Sequence, residues 1–191
     1  QTISVFIGSM DIVYKLILGV IVGGMMSVDM GGPVNKIAYL FGIAQIVEGN
    51  FDVMAAVMAG GMVPPLAIAI STTFFRNKFT LTERKLGCQN YLKGLMFISE
   101  GTIPFVQKDP RLVTLACIVA SAVAGGFSML YNCGIRIPHG GIFVLLAHPF
   151  RYIVALLAGS LCGAVIYGFF KEIGEEWYEI YIFWYRWNFD G

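Results

Sequence analysis

One carboxylate in this sequence stands where a carboxylate is expensive. Glu100 lies in Phe97-Ile98-Ser99-Glu100-Gly101-Thr102-Ile103-Pro104-Phe105, an apolar run interrupted by Gly101 and Pro104. The flanks, 52–75 and 112–130, read as membrane spans. A charge at that depth costs about 2.5–3.5 kcal/mol and normally faces a protein cavity. Broken backbone is tolerated there only where it is buried in protein or lines a cavity. Two readings stand side by side. Glu100 sits in a polar substrate site at the tip of a re-entrant segment, or it belongs to an interfacial turn and meets water.

Other polar groups gather at similar breaks. Ser27-Val28-Asp29-Met30-Gly31-Gly32-Pro33-Val34-Asn35-Lys36 interrupts an apolar pattern that resumes at Ile37. Gly31 and Gly32 permit a close approach of ligand or backbone, and Pro33 lacks a donor. Asp29, Asn35 and Lys36 either form a second part of the polar site or lie in an outer loop where Asp29 pairs with Lys36. Arg136-Ile137-Pro138-His139-Gly140-Gly141-Ile142-Phe143 is a third break. There His139, beside Gly140, either donates to a ligand or fixes the tip of a hairpin. His148, before Pro149, reads as structural.

The elements that must position these groups are membrane helices. The 191 residues are 57% hydrophobic and 13% charged, about half the charge of a soluble domain. Mean hydropathy is +0.73. Twenty-three glycines suit closely packed membrane helices. The net charge of +1, without a basic stripe, gives no reason to expect nucleic acid. Cys88, Cys117, Cys133 and Cys162 are scattered and read as small apolar residues.

Spans are expected over 12–28, 53–75, 112–130 and 150–170, with 37–47 too short to cross alone. Lys15 can snorkel to an interface, and Asp52 can cap the helix that follows it. Pro64 and Pro65 should kink or break that helix, with adjacent helices satisfying the freed carbonyls. They serve shape alone or expose carbonyls to a substrate. Between 76 and 93 lie Arg76, Lys78, Arg84, Lys85 and Lys93 against Glu83 alone, which marks a cytoplasmic loop. Thr80 or Thr82 can cap an interfacial helix within it, running through Tyr91. Ser121, Gly125, Gly126 and Ser128 form a packing face, as do Gly159 and Gly163. The segment 175–191 is rich in Trp and Tyr and reads as an interfacial belt.

The fold class is therefore an all-α integral membrane protein. It is a polytopic bundle of about five spans with two re-entrant helical hairpins and broken helices. The sequence carries no Walker loop, GxSxG or HExxH. His139 and His148 lack partners at ligand spacing, so no metal and no cofactor are expected. Broken helices meeting near the midplane are how transporters build substrate sites. A neutral polyol suits such a site, because carboxylate and amide groups pair with adjacent hydroxyls.

Four blocks carry a resemblance. They are the 26–36 stretch, Met54-Ala55-Ala56-Val57-Met58-Ala59-Gly60-Gly61-Met62-Val63-Pro64-Pro65-Leu66, the 97–105 stretch, and Pro138-His139-Gly140-Gly141-Ile142-Phe143. In this order, over roughly 12–171, they resemble the membrane permease (enzyme IIC) of the bacterial fructose phosphotransferase system. The resemblance implies sugar uptake coupled to phosphorylation, with fructose as the expected sugar and fructose 1-phosphate as the product. Phosphate would arrive from phosphoenolpyruvate through IIA and IIB units, and the phosphocysteine belongs to IIB. Carried over residue by residue, Glu100 is the leading sugar ligand and a candidate base at the sugar's 1-hydroxyl. Asn35, Asp29 and His139 follow, with Gly101 and Gly140 lining the site. The family is longer at its N-terminus, so residues 1–174 are expected to be the C-terminal part of a membrane domain. A homodimer is expected of the full-length form, in the bacterial inner membrane. Two other classes fit the residues: a non-transporting membrane or assembly subunit, and a proton-coupled transporter using Asp29 and Glu100.

Overall fold

The structure, a computed structural model, describes residues 11–138, 141 and 149–172. Its elements are helices. We number them α1 (Ile12–Met25), α2 (Pro33–Val47), α3 (Phe51–Phe74), α4 (Leu81–Leu95), α5 (Ile103–Lys108), α6 (Pro110–Leu130) and α7 (Pro149–Phe170). Short 3-10 turns lie at Arg76–Lys78 and Ser99–Thr102. Among the described residues α3, α6 and α7 are long and apolar enough to cross a membrane, whereas α1, at 14 residues, is shorter.

Helix α3 is the axis of the fold. Its 24 residues extend about 36 Å, more than a bilayer's hydrocarbon core. It is buried without a break from Val53 to Pro65, and α1, α2, α4, α6 and α7 all pack against it. Lipid gives apolar side chains no reason to leave it for a neighbouring helix, so close packing must come from small residues. Gly23 of α1, Gly60 of α3 and Gly125 of α6 meet at one junction. A Cβ on Gly60 would lie 2.6 Å from the Gly23 carbonyl oxygen, and one on Gly23 would lie 3.0 Å from Gly125 Cα. Gly159 and Gly163 of α7 fit against Ala120 and Ala124 of α6 in the same way. The packing faces expected from Ser121, Gly125 and Gly159–Gly163 are therefore present.

Pro64 and Pro65 do not break α3, contrary to one of the outcomes expected of them. Pro64 has no N–H to offer the Gly60 carbonyl one turn back. Ser121 Oγ of α6 donates to that oxygen instead, at 2.7 Å. Ser27 Oγ lies within hydrogen-bond distance of Ser121 Oγ, so the turn after α1 joins the same chain of contacts. The adjacent helices thus satisfy the freed carbonyl.

The positively charged stretch 76–93 is mostly helix. Thr80 caps α4 through a full capping box, in which Glu83 N–H reaches Thr80 Oγ1 and the Thr80 N–H reaches Glu83 Oε2 at 2.9 Å. The helix continues past Tyr91 to Leu95. Its buried residues Glu83, Gly87, Asn90 and Gly94 form a single stripe, with Gly87 against Thr72 and Gly94 against Leu66 of α3. At the opposite end of α3, Asp52 does not cap the helix as expected. Its carboxylate takes the Lys15 ammonium at 3.2 Å, and Lys15 also donates to Asn132 Oδ1 at 3.1 Å. Lys15 is thus held by the protein rather than snorkelling free.

Candidate functional site

The breaks between helices come together. After α1 the chain passes through Met30 at φ +44° and Gly31 at φ +103°, then enters α2 at Pro33. Gly32 occupies the N-cap of α2 and has no side chain to cap with. Asp29 does it from a distance: Oδ2 accepts the Val34 N–H at 2.7 Å and Oδ1 the Asn35 N–H at 3.1 Å. A carboxylate suits this end of the helix, where the dipole is positive and the N–H groups lack partners. Asn35 is buried, and its Nδ2 donates to the Met26 carbonyl at 2.7 Å, tying the start of α2 to the end of α1. Lys36 is exposed, and Asp29 spends both carboxylate oxygens on α2 rather than on Lys36.

Glu100 reaches this break from the other side. It sits in the Ser99–Thr102 turn between α4 and α5, and its side chain lies over Gly31. A Cβ on Gly31 would be 3.1 Å from Glu100 Oε1, so the missing side chain and the left-handed backbone at Gly31 make room for the carboxylate. Among the described residues nothing donates to the Glu100 carboxylate. The residue is exposed.

The 54–66 stretch, and Pro138 and Gly141 of the last one, meet this region as well. Phe97, at φ +63°, lays its ring against Gly61 of α3, and its centroid is 6.3 Å from that of Tyr39 on α2. A bulky residue in the left-handed region is a local strain held by its surroundings. Tyr39 in turn donates to the Pro138 carbonyl at 3.1 Å. Gly141 packs on the backbone of Leu95 and Met96, where a Cβ would come 3.0 Å from Met96 Cα. So the stretches 26–36, 54–66 and 97–105 share one region, with Pro138 and Gly141 of the fourth stretch beside it. Of the predicted site residues, the structure brings Glu100, Gly101, Asp29 and Asn35 to it. His139 and Gly140 lie outside the described residues, as does the segment 175–191.

Sequence reasoning missed Asn90. It is fully buried in α4, and its Nδ2 donates to the Gly101 carbonyl at 3.0 Å. The signal lies in the helical spacing of Glu83, Gly87, Asn90 and Gly94, one face of a helix that reads from its charge as interfacial and is in fact packed on α3.

A second polar cluster lies at the end where α4 begins and α7 ends. Lys171 Nζ is 2.7 Å from Asp109 Oδ2 and 3.6 Å from Glu83 Oε1, and Lys108 Nζ is 3.3 Å from the same Glu83 oxygen. The Lys171 ammonium also lies 5.2 Å above the Phe79 ring. Burial pushes the Glu83 carboxyl up. The Thr80 N–H and the ammonium groups of Lys171 and Lys108 outweigh that, leaving it below the ordinary range.

Comparison with known proteins gives the site a context. The chain is 48% identical over 159 residues to the "PTS system fructose-specific EIIABC component" of Bacillus subtilis, covering 82% of this chain and 25% of that protein. It is 47% identical over 163 residues to the "Fructose permease IIC component" of Bacillus amyloliquefaciens, covering 84% of this chain and 53% of that protein. It is 43% identical over 174 residues to the "PTS system fructose-specific EIIB'BC component" of Haemophilus influenzae, covering 90% of this chain and 31% of that protein. The chain thus spans between a quarter and about half the length of these curated relatives. No family model and no solved structure matches it. With the motif stretches 26–36, 54–66 and 97–105 assembled in one region of an all-α membrane bundle, and with these identities over most of its length, the chain belongs to the fructose-type enzyme IIC family of the phosphotransferase systems, as a segment of it.

Proposed function

We propose that this chain is part of the sugar-translocating membrane component of a phosphoenolpyruvate-dependent phosphotransferase system, with fructose as its sugar. The observation that carries the reading is the meeting of two helix breaks, the 26–36 turn and the 97–105 turn, at a carboxylate to which no described residue donates, Glu100 over Gly31. A carboxylate so placed accepts hydrogen bonds from neighbouring sugar hydroxyls, and charge-assisted bonds of this kind are the strong ones. Asn35, Asp29, His139, Gly101 and Gly140 complete the site in this reading. Asp29 acts through α2, whose first N–H groups it holds in place.

The same carboxylate serves as base. The sugar's 1-hydroxyl attacks the phosphorus carried by the cysteine of the IIB unit, the S–P bond breaks, and Glu100 takes the hydroxyl proton. The products are fructose 1-phosphate and the IIB thiolate, with the hydroxyl proton on Glu100. IIB and IIA are thus partners, and the complex as a whole is a transferase. Residues 1–174 are the C-terminal part of a membrane domain in the inner membrane, a homodimer in its full-length form, with 76–93 facing the cytoplasm. The segment 175–191 lies at the interface.

The test is binding of radiolabelled fructose to the purified chain in detergent, with Glu100→Ala as control. Saturable binding lost in the variant supports the reading. A folded chain that binds no fructose, or a Glu100→Gln variant that binds and phosphorylates normally, sinks it.

A further inference from the structure

We propose that Asn90 is the positioning residue of Glu100, the clamp that keeps its carboxylate over Gly31; this rests on the sugar-site reading of Glu100. The turn that carries Glu100 is a poor anchor by itself. Ser99–Thr102 is four residues of 3-10 helix without a side-chain cap, and its own side-chain bond, Thr102 Oγ1 to the Ser99 carbonyl, is internal. Short 3-10 segments have weak hydrogen-bond geometry and need outside support. Among the described residues, the side-chain hydrogen bond that reaches this turn from another element is the one from Asn90 to the Gly101 carbonyl, 3.0 Å long. It grips the Gly101–Thr102 peptide, one residue on from Glu100.

The setting argues that the grip is specific. Asn90 is fully buried between α4 and α3, on a stripe whose neighbours Gly87 and Gly94 are bare to allow close packing. An apolar residue would fill such a place at less cost than an amide. The amide is satisfied only by half: Nδ2 has its carbonyl, whereas Oδ1 is buried with no partner. Packing alone gives no reason to keep a half-satisfied amide there. Gly101 is shaped around it, since a Cβ at that position would strike Asn90 Oδ1 and come 2.7 Å from Lys93 Cδ. Asn90, Gly101 and the bare Gly31 thus form one path from the rigid α4–α3 pair to the carboxylate.

The experiment has two arms on the same proteins: wild type, Asn90→Ala, Gly101→Ala, Glu100→Gln, and the double variant Asn90→Ala with Glu100→Gln. The first arm measures amide hydrogen exchange by mass spectrometry and needs no ligand. Expected is a rise of about tenfold or more in exchange over 97–105 in Asn90→Ala, with α3 and α6 unchanged. Gly101→Ala, which pushes at the same contact from the turn side, gives the same local pattern and stands in if Asn90→Ala does not fold. The second arm measures fructose affinity. Expected is a loss of about tenfold in Asn90→Ala and no further loss when the change is added to Glu100→Gln, because a residue acting through Glu100 has nothing left to act on. Unchanged exchange over 97–105 in both single variants overturns the proposal. So does an independent tenfold loss in the double variant, which assigns Asn90 a role of its own. A wild-type chain that binds no fructose counts against the sugar reading, and the exchange arm alone then decides whether Asn90 holds the turn.

Discussion

Glu83 stands in the first turn of α4, and Glu100 in the turn that follows its last residue. Glu83 is buried, closes a capping box, and faces two ammonium groups, one of them held between Asp109 and the Phe79 ring. Glu100 is exposed, rides on a 3-10 turn flanked by a left-handed Phe97, and receives no donor among the described residues. The first carboxylate has everything a buried charge needs and so has nothing to offer a ligand. The second is held in place by its backbone, with its oxygens left open. One short helix thus joins a region where electrostatics is satisfied to a region where it is not, and a ligand site is expected at the unsatisfied end.

The comparison breaks most sharply if the two glutamates are not separable. Glu100→Gln should weaken fructose binding by about 100-fold while leaving the unfolding temperature within error, as read by binding and by a thermal melt. Lys171→Met should do the opposite. It removes one cation from the buried Glu83, which keeps Lys108 and the Thr80 N–H, so a loss of about 2 kcal/mol in stability is expected with fructose affinity retained. Ser121→Ala should cost about 1 kcal/mol by leaving the Gly60 carbonyl to the apolar core, measurable by the same melt. The smallest effect is acid sensitivity. The Glu83 carboxyl lies below its ordinary value of 4.5 in the folded chain. Its contribution is therefore complete above that value and is lost as pH falls through the lower, folded one. Melts from about pH 6 to about pH 3 should show the drop, and Lys171→Met should flatten it.

The long helices were legible because hydropathy and length alone define them. The spans expected over 53–75, 112–130 and 150–170 differ from α3, α6 and α7 by one or two residues at their ends. The gathering of breaks around Glu100 was legible from residue type, since Gly, Pro and a carboxylate in an apolar run have few other uses. What each polar residue does once there was not. Asp29 reads as part of the polar site or as a partner of Lys36, and its carboxylate also holds the first N–H groups of α2, where Gly32 has no side chain to cap with. Asp52 looked like a cap and holds Lys15, a partner far away in sequence. Pro64 and Pro65 looked able to break a helix that Ser121 keeps whole. For Asp52 and Pro64 the outcome depends on a residue brought near only by the fold, which local spacing cannot register. Asn90 was hidden differently, inside a charged stretch whose helical stripe shows only when its glycines are read as packing residues.

The Ser121 bond also bears on how the chain is made. Gly60 and Ser121 are 61 positions apart. As the chain emerges during synthesis, α3 reaches the membrane well before α6. Over that interval the Gly60 carbonyl has lost its own N–H partner to Pro64 and has not yet met the hydroxyl that replaces it. A helix in this state cannot complete its hydrogen bonding within lipid. The most deeply buried helix of the bundle thus completes its hydrogen bonding only when a later helix reaches it.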